Sequence, residues 1–217
     1  MNDNQETNTR ELLPEPTIRR LPWYLAYVTL LHKNHVEYVS STKIADELNV
    51  DSSQIAKDLS FLNIKGKTRI GYEVASLESA LQDFLGFGQS HNAVMVGSGS
   101  LGAALISDSG LQRYGLNIVA GVDIDPDIVG SKIGGIPIYH IDKLKELVKK
   151  LNIRIGIVAV PVDSAQNVAD TMVAAGIKGI WNFTPYRIRV RDGVVIANTS
   201  IYSHLALMYN RLGTLNL

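Results

Sequence analysis

Residues 94–105, VMVGSGSLGAAL, restrict the fold of this chain more than any other stretch. An apolar run suited to a strand enters a loop with glycines at 97, 99 and 102, and a small-residue helix follows. The spacing is G-x-G-x-x-G. The first glycine permits a tight turn, the second lets the backbone approach a pyrophosphate, and the third lets the helix lie close on the strand. A diphosphate would rest on the helix N-terminus, where free N–H groups and the helix dipole favour an anion. Gly97, Ser98, Gly99, Ser100, Leu101 and Gly102 are therefore candidate cofactor-binding residues.

From about residue 91 the pattern alternates between strands and helices. The expected strands are AVMV, NIVAGVDI, GIPIYHI, IGIVAV, GIWNF and GVVIA, and the expected helices lie at 101–109, 142–151 and 164–175. Strands apolar on both faces and separated by helices predict a parallel sheet covered on both sides. Asp123 closes the second strand, 26 residues beyond Gly97. A carboxylate there accepts from ribose 2′- and 3′-hydroxyls and repels a 2′-phosphate, and the next residue, Ile124, is no arginine that could bind one. NAD(H) is favoured over NADP(H). The final segment, SIYSHLALMYNRLGTLNL, reads as a helix from about Ser200 and is apolar on most of its circumference. Such a helix belongs either in the core or in a partner subunit.

The first third has a different style. A tail over 1–12 is polar and expected to be mobile, and a helix is expected from Thr17 to about Asn34, with Pro22 suited only to its first turn. VSSTKIADELNVDSSQIAKDLSFL then holds two short helices, the first capped by Ser41 or Thr42, the second by Asp51 or Ser52. Their connection has helix-turn-helix length without a glycine. On the second helix Ile55, Leu59 and Leu62 share a core face, while Gln54, Lys57 and Phe61 lie on another side. IKGKTRIGYEV reads as a hairpin with a basic tip, and 76–88 as an amphipathic linking helix. The chain is neutral overall, yet residues 52–72 carry Lys57, Lys65, Lys67 and Arg69 against Asp58 alone. A positive patch on a helix-turn-helix pattern is the local footprint of a nucleic-acid face. Ser52, Ser53, Gln54 and Lys57 near the helix N-terminus would meet base edges and phosphates, and Lys65, Lys67, Arg69 and Tyr72 form the hairpin's contribution.

The expected organisation is a winged-helix domain over 13–75, a linking helix over 76–90, a Rossmann-like α/β domain over 91–198 and a terminal helix over 199–217. With 46% hydrophobic and 19% charged residues the chain can bury a core. It has no cysteine, which excludes disulfides and thiolate metal sites and is compatible with a cytoplasmic protein. No signal-peptide order and no membrane-length apolar run is present. Of the five histidines, His32 and His35 fall in the expected DNA-binding part, His140 reads as structural, and His204 has no evident partner for proton transfer. No metal-ligand spacing or nucleophile triad stands out. The sequence offers a cofactor seat without catalytic apparatus. The alternatives kept open are an NAD- or CoA-binding enzyme subunit and a nucleotide-binding dimer with weakened DNA binding.

Taken in order, IRRLPWYL, VSSTKIADELNVDSSQIAKDLSF, GKTRIGYEV, VGSGSLGAAL, VDIDPDIVG, IVAVP and AAGIKGIWNFTP resemble the Rex family, bacterial redox-sensing transcriptional repressors that bind NADH. The resemblance runs from about Pro16 to Leu212. It implies a homodimer with a domain-swapped C-terminal helix, NAD(H) in each subunit, and a palindromic double-stranded operator released by NADH. Lys57 matches a recognition-helix cation of the family, and Arg69 and Tyr72 lie in its wing pattern. Pro161 and Asn182, Phe183, Thr184 and Pro185 match loops on the ribose and nicotinamide side. Ile201 takes the place of an apolar residue near the nicotinamide. The family's usual pair of basic residues before the recognition-helix aspartate is Ala56 and Lys57 here. Its coupling Arg and Asp align with Ala26 and Ser200.

Overall fold

The structure, a computed structural model, describes residues 14–214, so the expected mobile tail and the last three residues lie outside the described residues. The chain divides into two compact units, 1–88 and 89–217.

In the first unit α1 (Glu15–Lys33) is followed by β1 (Tyr38–Val39), α2 (Ser41–Leu48), α3 (Ser52–Leu59), β2 (Tyr72–Glu73) and α4 (Val74–Leu85). Helix α1 begins two residues earlier than expected, with Pro16 in its first turn, where a missing N–H is harmless. Pro22 consequently sits inside the helix. The helix persists through it because Leu21, Tyr24, Leu25, Val28 and Leu31 are all buried along one side. Ser40, one residue before the expected cap, accepts from Lys43 N at 3.1 Å and starts α2. Asp51 accepts from Ser53 N at 2.7 Å and starts α3, as its sequence position suggests. Between the helices Asn49 adopts φ 50°, supplying the left-handed turn for which no glycine is available. Ile55, Leu59 and Leu62 are buried as their spacing predicts.

The hairpin is smaller than expected. Only Lys67 and Gly71 pair across it, while β2 pairs antiparallel with β1, a two-residue strand too short to show in the sequence. Gly71 is required there: at φ +108° a Cβ would lie 2.3 Å from the Val39 carbonyl oxygen. Helix α4, expected as a link, buries Val74, Leu77 and Leu81 in the same core as α1 and α3.

The second unit is one sheet of seven strands in the order β5-β6-β4-β3-β7-β8-β9. Its strands are β3 (His91–Val96), β4 (Leu116–Asp123), β5 (Lys132–Ile133), β6 (Ile136–His140), β7 (Ile155–Val158), β8 (Gly179–Asn182) and β9 (Val195–Asn198). All pairs are parallel except the short β5 against β6. Along β3 the residues alternate between two cores: Val94 and Val96 face one, Ala93 and Met95 the other. Both faces are thus covered, as the doubly apolar strands predict. The helices are α5 (Ser100–Ser107), α6 (Ser109–Arg113), α7 (Leu144–Lys150) and α8 (Ala165–Ala175). From β3 the chain builds outward through β4 and β6, then returns to β7 on the other side. The order reverses between β3 and β7, and ligands of such sheets bind outside the carboxyl ends at this point.

Helix α9 (Ile201–Thr214) has no buried residue. Tyr202 is 63% exposed and Tyr209 61% exposed, so of the two expected placements the core of its own unit is not the one taken. Among the described residues no helix is long and apolar enough to cross a membrane.

Candidate nucleotide cleft and nucleic-acid face

The three glycines of the loop after β3 have three different reasons to be glycine. Gly97 has φ +89°, and a Cβ on it would lie 2.4 Å from the Ala159 carbonyl oxygen, at the reversal between β3 and β7. Its N–H donates to the Val122 carbonyl at 3.0 Å, wedging the loop between β4 and β7. A Cβ on Gly102 would lie 2.0 Å from the Gly97 carbonyl oxygen, so only glycine lets α5 come this close to the loop. A Cβ on Gly99 would meet nothing within 4 Å. Its lack of a side chain serves something other than packing, and Gly99 lines a cleft. As N-cap of α5 it offers no side-chain acceptor, which leaves the first amides of the helix available to an anion.

Asp123 closes the same cleft. Its Oδ2 accepts from Ser98 N at 2.6 Å, and its Oδ1 from Ile124 N at 2.7 Å and Asp125 N at 3.1 Å. The carboxylate is thereby aimed by three backbone donors, with acceptor capacity left on Oδ2. The cleft, of about 280 Å³, has Gly97, Gly99, Asp123, Ile124 and Pro161 in its wall, and Asp125 beside them. Its lining holds two carboxylates and no Lys or Arg, which disfavours an added 2′-phosphate. Ile124, 73% exposed, offers an apolar edge to a base. A larger hollow of about 740 Å³, walled by Ser107, Asp108, Gln112 and Asn117, contains none of these residues. The smaller cleft is the candidate site because the loop, the free amides and Asp123 converge on it.

Not all the candidates reach this cleft. Ser100 and Leu101 are exposed on the first turn of α5. Asn182, Phe183, Thr184, Pro185 and Ile201 follow β8 and β9 along the same carboxyl edge, outside the cleft's lining. Asn182 is fully buried and clamps its own loop, donating to the Tyr186 carbonyl and to Asn198 Oδ1 and accepting from Thr184 N and Oγ1. Its side chain and that of Thr184 are thus committed to shaping the turn. Phe183 packs on Trp181 with ring centroids 4.6 Å apart, and Pro185 is exposed.

Ser98 presents only its backbone to Asp123, for its Oγ is buried without a hydrogen-bond partner. A buried hydroxyl left unpaired is destabilising. Ser98→Ala is therefore expected to raise stability by up to about 1 kcal/mol. A clear loss of stability in a denaturant titration would show that the hydroxyl is paired in solution.

In the first unit, Ser52, Ser53 and Lys57 are exposed on α3, and Lys65, Lys67 and Arg69 on the turn before β2, where Tyr72 is half-buried. Lys67 is ordered by Tyr38, donating to its Oη at 2.5 Å with the ammonium 4.6 Å from the ring centroid. Gln54 is half-buried, because its Nε2 donates to Asp58 Oδ1 at 2.9 Å.

Asp58 is not the surface counter-charge to the lysines that the charge pattern of 52–72 suggests. It is fully buried. Arg20 donates to it through Nε at 2.6 Å and Nη2 at 2.8 Å, Tyr24 Oη at 2.7 Å and Thr17 Oγ1 at 3.1 Å. Burial by itself would raise the Asp58 carboxyl, but the donors from Arg20, Tyr24, Gln54 and Thr17 outweigh it and hold the group below the usual carboxylate range. Burial, then the Asp58 charge and hydrogen bond, push the Tyr24 phenol up to about 12. Arg20 neutralises Asp58 internally, so this carboxylate is not a surface partner for the lysines, whereas Lys67 has Glu73 and Glu37 near it. The available signal was spacing: position 58 lies between Ile55 and Leu59 on the core face of α3.

Residues 88–186 match the CoA binding domain family, and residues 13–60 match the family described as "Putative DNA-binding protein N-terminus". The redox-sensing transcriptional repressor Rex of Bacteroides fragilis is 53% identical over 98% of this chain and 96% of its own length. That of Porphyromonas gingivalis is 56% identical over 94% of this chain and 93% of its own. The crystal structure of RSP with β-NAD+ and operator DNA superimposes with a TM-score of 0.89 at 33% identity, covering 94% of each chain. That of RSP with β-NADH gives 0.84 at 34% identity, covering 94% of this chain and 95% of that one. A winged helix-turn-helix joined to a doubly wound nucleotide domain, matched from end to end by these repressors, makes the chain a member of the Rex family of redox-sensing transcriptional repressors.

Proposed function

We propose that a homodimer of this chain holds a palindromic operator through α3 and the 65–71 turn of each subunit, and that NADH in the cleft after β3 releases it. The observation that carries the reading is the open space at Gly99 between bare helix amides and the aimed Asp123 carboxylate. Diphosphate and ribose fit there, and the nicotinamide supplies the signal, because its ring is cationic when oxidised and neutral when reduced. Asp123 holds the ribose hydroxyls, and the α5 amides hold the diphosphate. Asn182, Phe183, Thr184, Pro185 and Ile201 lie further along the same edge, where the nicotinamide half would extend. The cleft lining has no His, Lys, Tyr or Cys, which favours a cofactor that is read and not consumed. A cytoplasmic location accords with this role.

The exposed apolar side chains of α9 support dimerisation, with a partner covering them by exchange of this helix. Ser200, standing where the family has an aspartate, accepts from Ser203 N at 3.1 Å, so the helix start is still capped. A ligand that binds two states unequally shifts the equilibrium by that difference. Ala26 and Ser200 remove both members of the family's charge pair together, so no buried charge is stranded.

The test is an anisotropy titration against a duplex selected from a random palindrome pool, at two salt concentrations, with NADH or NAD+. Binding should fall steeply with salt, and NADH should weaken it at least tenfold more than NAD+ does. Asp123→Ala should bind the duplex normally and lose the NADH response. Binding indifferent to saturating NADH would overturn the sensor reading.

A further inference from the structure

The Asp58 cluster does something for α3 besides anchoring it. We infer that Asp58 is a positioning residue for base reading: it fixes the amide of Gln54, and Gln54 so held selects adenine. The inference rests on the proposed DNA binding by α3 and adds to it a residue that touches no DNA.

The chemistry follows from what each group can donate. An ionised carboxylate only accepts, so the Gln54 atom facing Asp58 must be the nitrogen, whatever the amide's alternatives elsewhere. One Nε2 hydrogen is spent on Asp58 Oδ1. The second hydrogen and the Oε1 acceptor remain, and Gln54 lies near the N-terminus of α3, the end that meets base edges in a helix-turn-helix. One donor beside one acceptor on a glutamine matches the N7 acceptor and N6 donor of adenine, and mismatches the two acceptors that guanine presents.

Freedom is removed from both ends of this contact. Asp58 cannot turn, because Arg20 grips both of its oxygens, Tyr24 holds Oδ2, and Thr17 shares Oδ1 with Gln54. The carboxylate is at 0% exposure, and its charge is met by Arg20, whose side chain is 21% exposed. A glutamine on a free surface would pay for ordering its three torsions when it met a base, whereas this one is already ordered. Ser52, Ser53 and Lys57 have no comparable tether to the core; Ser53 bonds only to the neighbouring cap Asp51. The contact i to i+4 along α3 is an ordinary helical spacing, and what makes it a positioning device is the second layer from α1 behind it.

The experiment uses the full chain. Duplex selection with the wild type first defines the operator, and failure to select any duplex would overturn the DNA-binding reading and this inference with it. Given an operator, each half-site should contain one A·T pair whose replacement weakens the wild type on the order of tenfold. Gln54→Met keeps the stem and removes the amide, so it should lose preference at that pair alone. Its salt dependence should stay unchanged, because no phosphate contact is removed. Asp58→Asn should lose the same preference at the same pair while its other preferences persist. Selective ¹⁵N labelling of glutamine gives a readout independent of folding in that variant: the Gln54 side-chain amide, assigned by its absence in Gln54→Met, should be rigid in the free protein. A Gln54→Met profile identical to wild type at every base pair overturns the reading role. A mobile Gln54 amide in the wild type overturns the positioning by Asp58.

Discussion

Gly102→Ala and Gly99→Ala, three residues apart at the start of α5, are expected to fail in opposite ways. At position 102 the new methyl lands 2.0 Å from the Gly97 carbonyl oxygen, a backbone atom that cannot swing aside. Helix α5 must move off the loop, at about 1–3 kcal/mol of stability for the second unit. Gly97→Ala adds to its own clash about 1–2 kcal/mol for an L residue forced to φ +89°. Both should lower the melting temperature and abolish NADH binding together. At position 99 the methyl meets no protein atom, and stability should change by less than about 1 kcal/mol, the difference between glycine and alanine at an N-cap. NADH affinity should nevertheless fall at least tenfold, because the methyl occupies the approach of the diphosphate. Calorimetry and NADH fluorescence on the same samples separate the two classes. A Gly99→Ala protein with wild-type NADH affinity would move the cofactor out of this loop.

Asp58→Ala is expected to be the most destabilising single change in the first unit. It leaves the Arg20 guanidinium partly buried without its anion and strips Tyr24, Thr17 and Gln54 of their acceptor. Removing one partner from a buried pair costs about 3–5 kcal/mol. The pH dependence has a definite sign. The Asp58 carboxyl is held below its unfolded value, so its contribution is present above about pH 4 and drains away as pH falls through the folded pKa. Tyr24 behaves in the opposite sense: its phenol is raised to about 12, so its contribution is intact below the unfolded value near 10 and is lost as pH rises through 12. Unfolding of the first unit, followed through Trp23 in a Trp181→Phe background, should show an acid limb in the wild type that Asp58→Asn flattens. An unaltered acid limb in that variant would mean that other carboxylates dominate it.

Much of this architecture was legible because it is encoded by near neighbours in the chain. Runs such as Ala93–Val96 and Ile155–Val158, apolar at every position, can only be strands covered on both faces. Ile55 and Leu59 fix the core face of α3 by spacing alone, and Leu62, just beyond its end, is buried with them. The cap Asp51 was readable for the same reason, whereas Ser40 was displaced by one residue, since Ser40, Ser41 and Thr42 are chemically equivalent caps. β1 and β5, two residues each, carry no periodicity, and neither does the five-residue α6. Pro22 stands inside α1 against its local propensity, because five buried apolar side chains on that helix override the penalty.

The sequence by itself determined the glycine spacing after a strand, the carboxylate at the end of the next one, the helix-turn-helix and its basic patch. These depend on backbone conformation and on partners a few residues apart, which composition and periodicity express directly. Only the tertiary structure decided which glycine is forced by packing and which faces open space, since the atoms that decide belong to Ala159 and to the loop's own return. Only it turned Asp58 from a surface charge into a buried anchor, because Thr17 and Arg20 lie 41 and 38 residues away along the chain. Contacts at that separation exist only once the helices have packed, and no local pattern announces them.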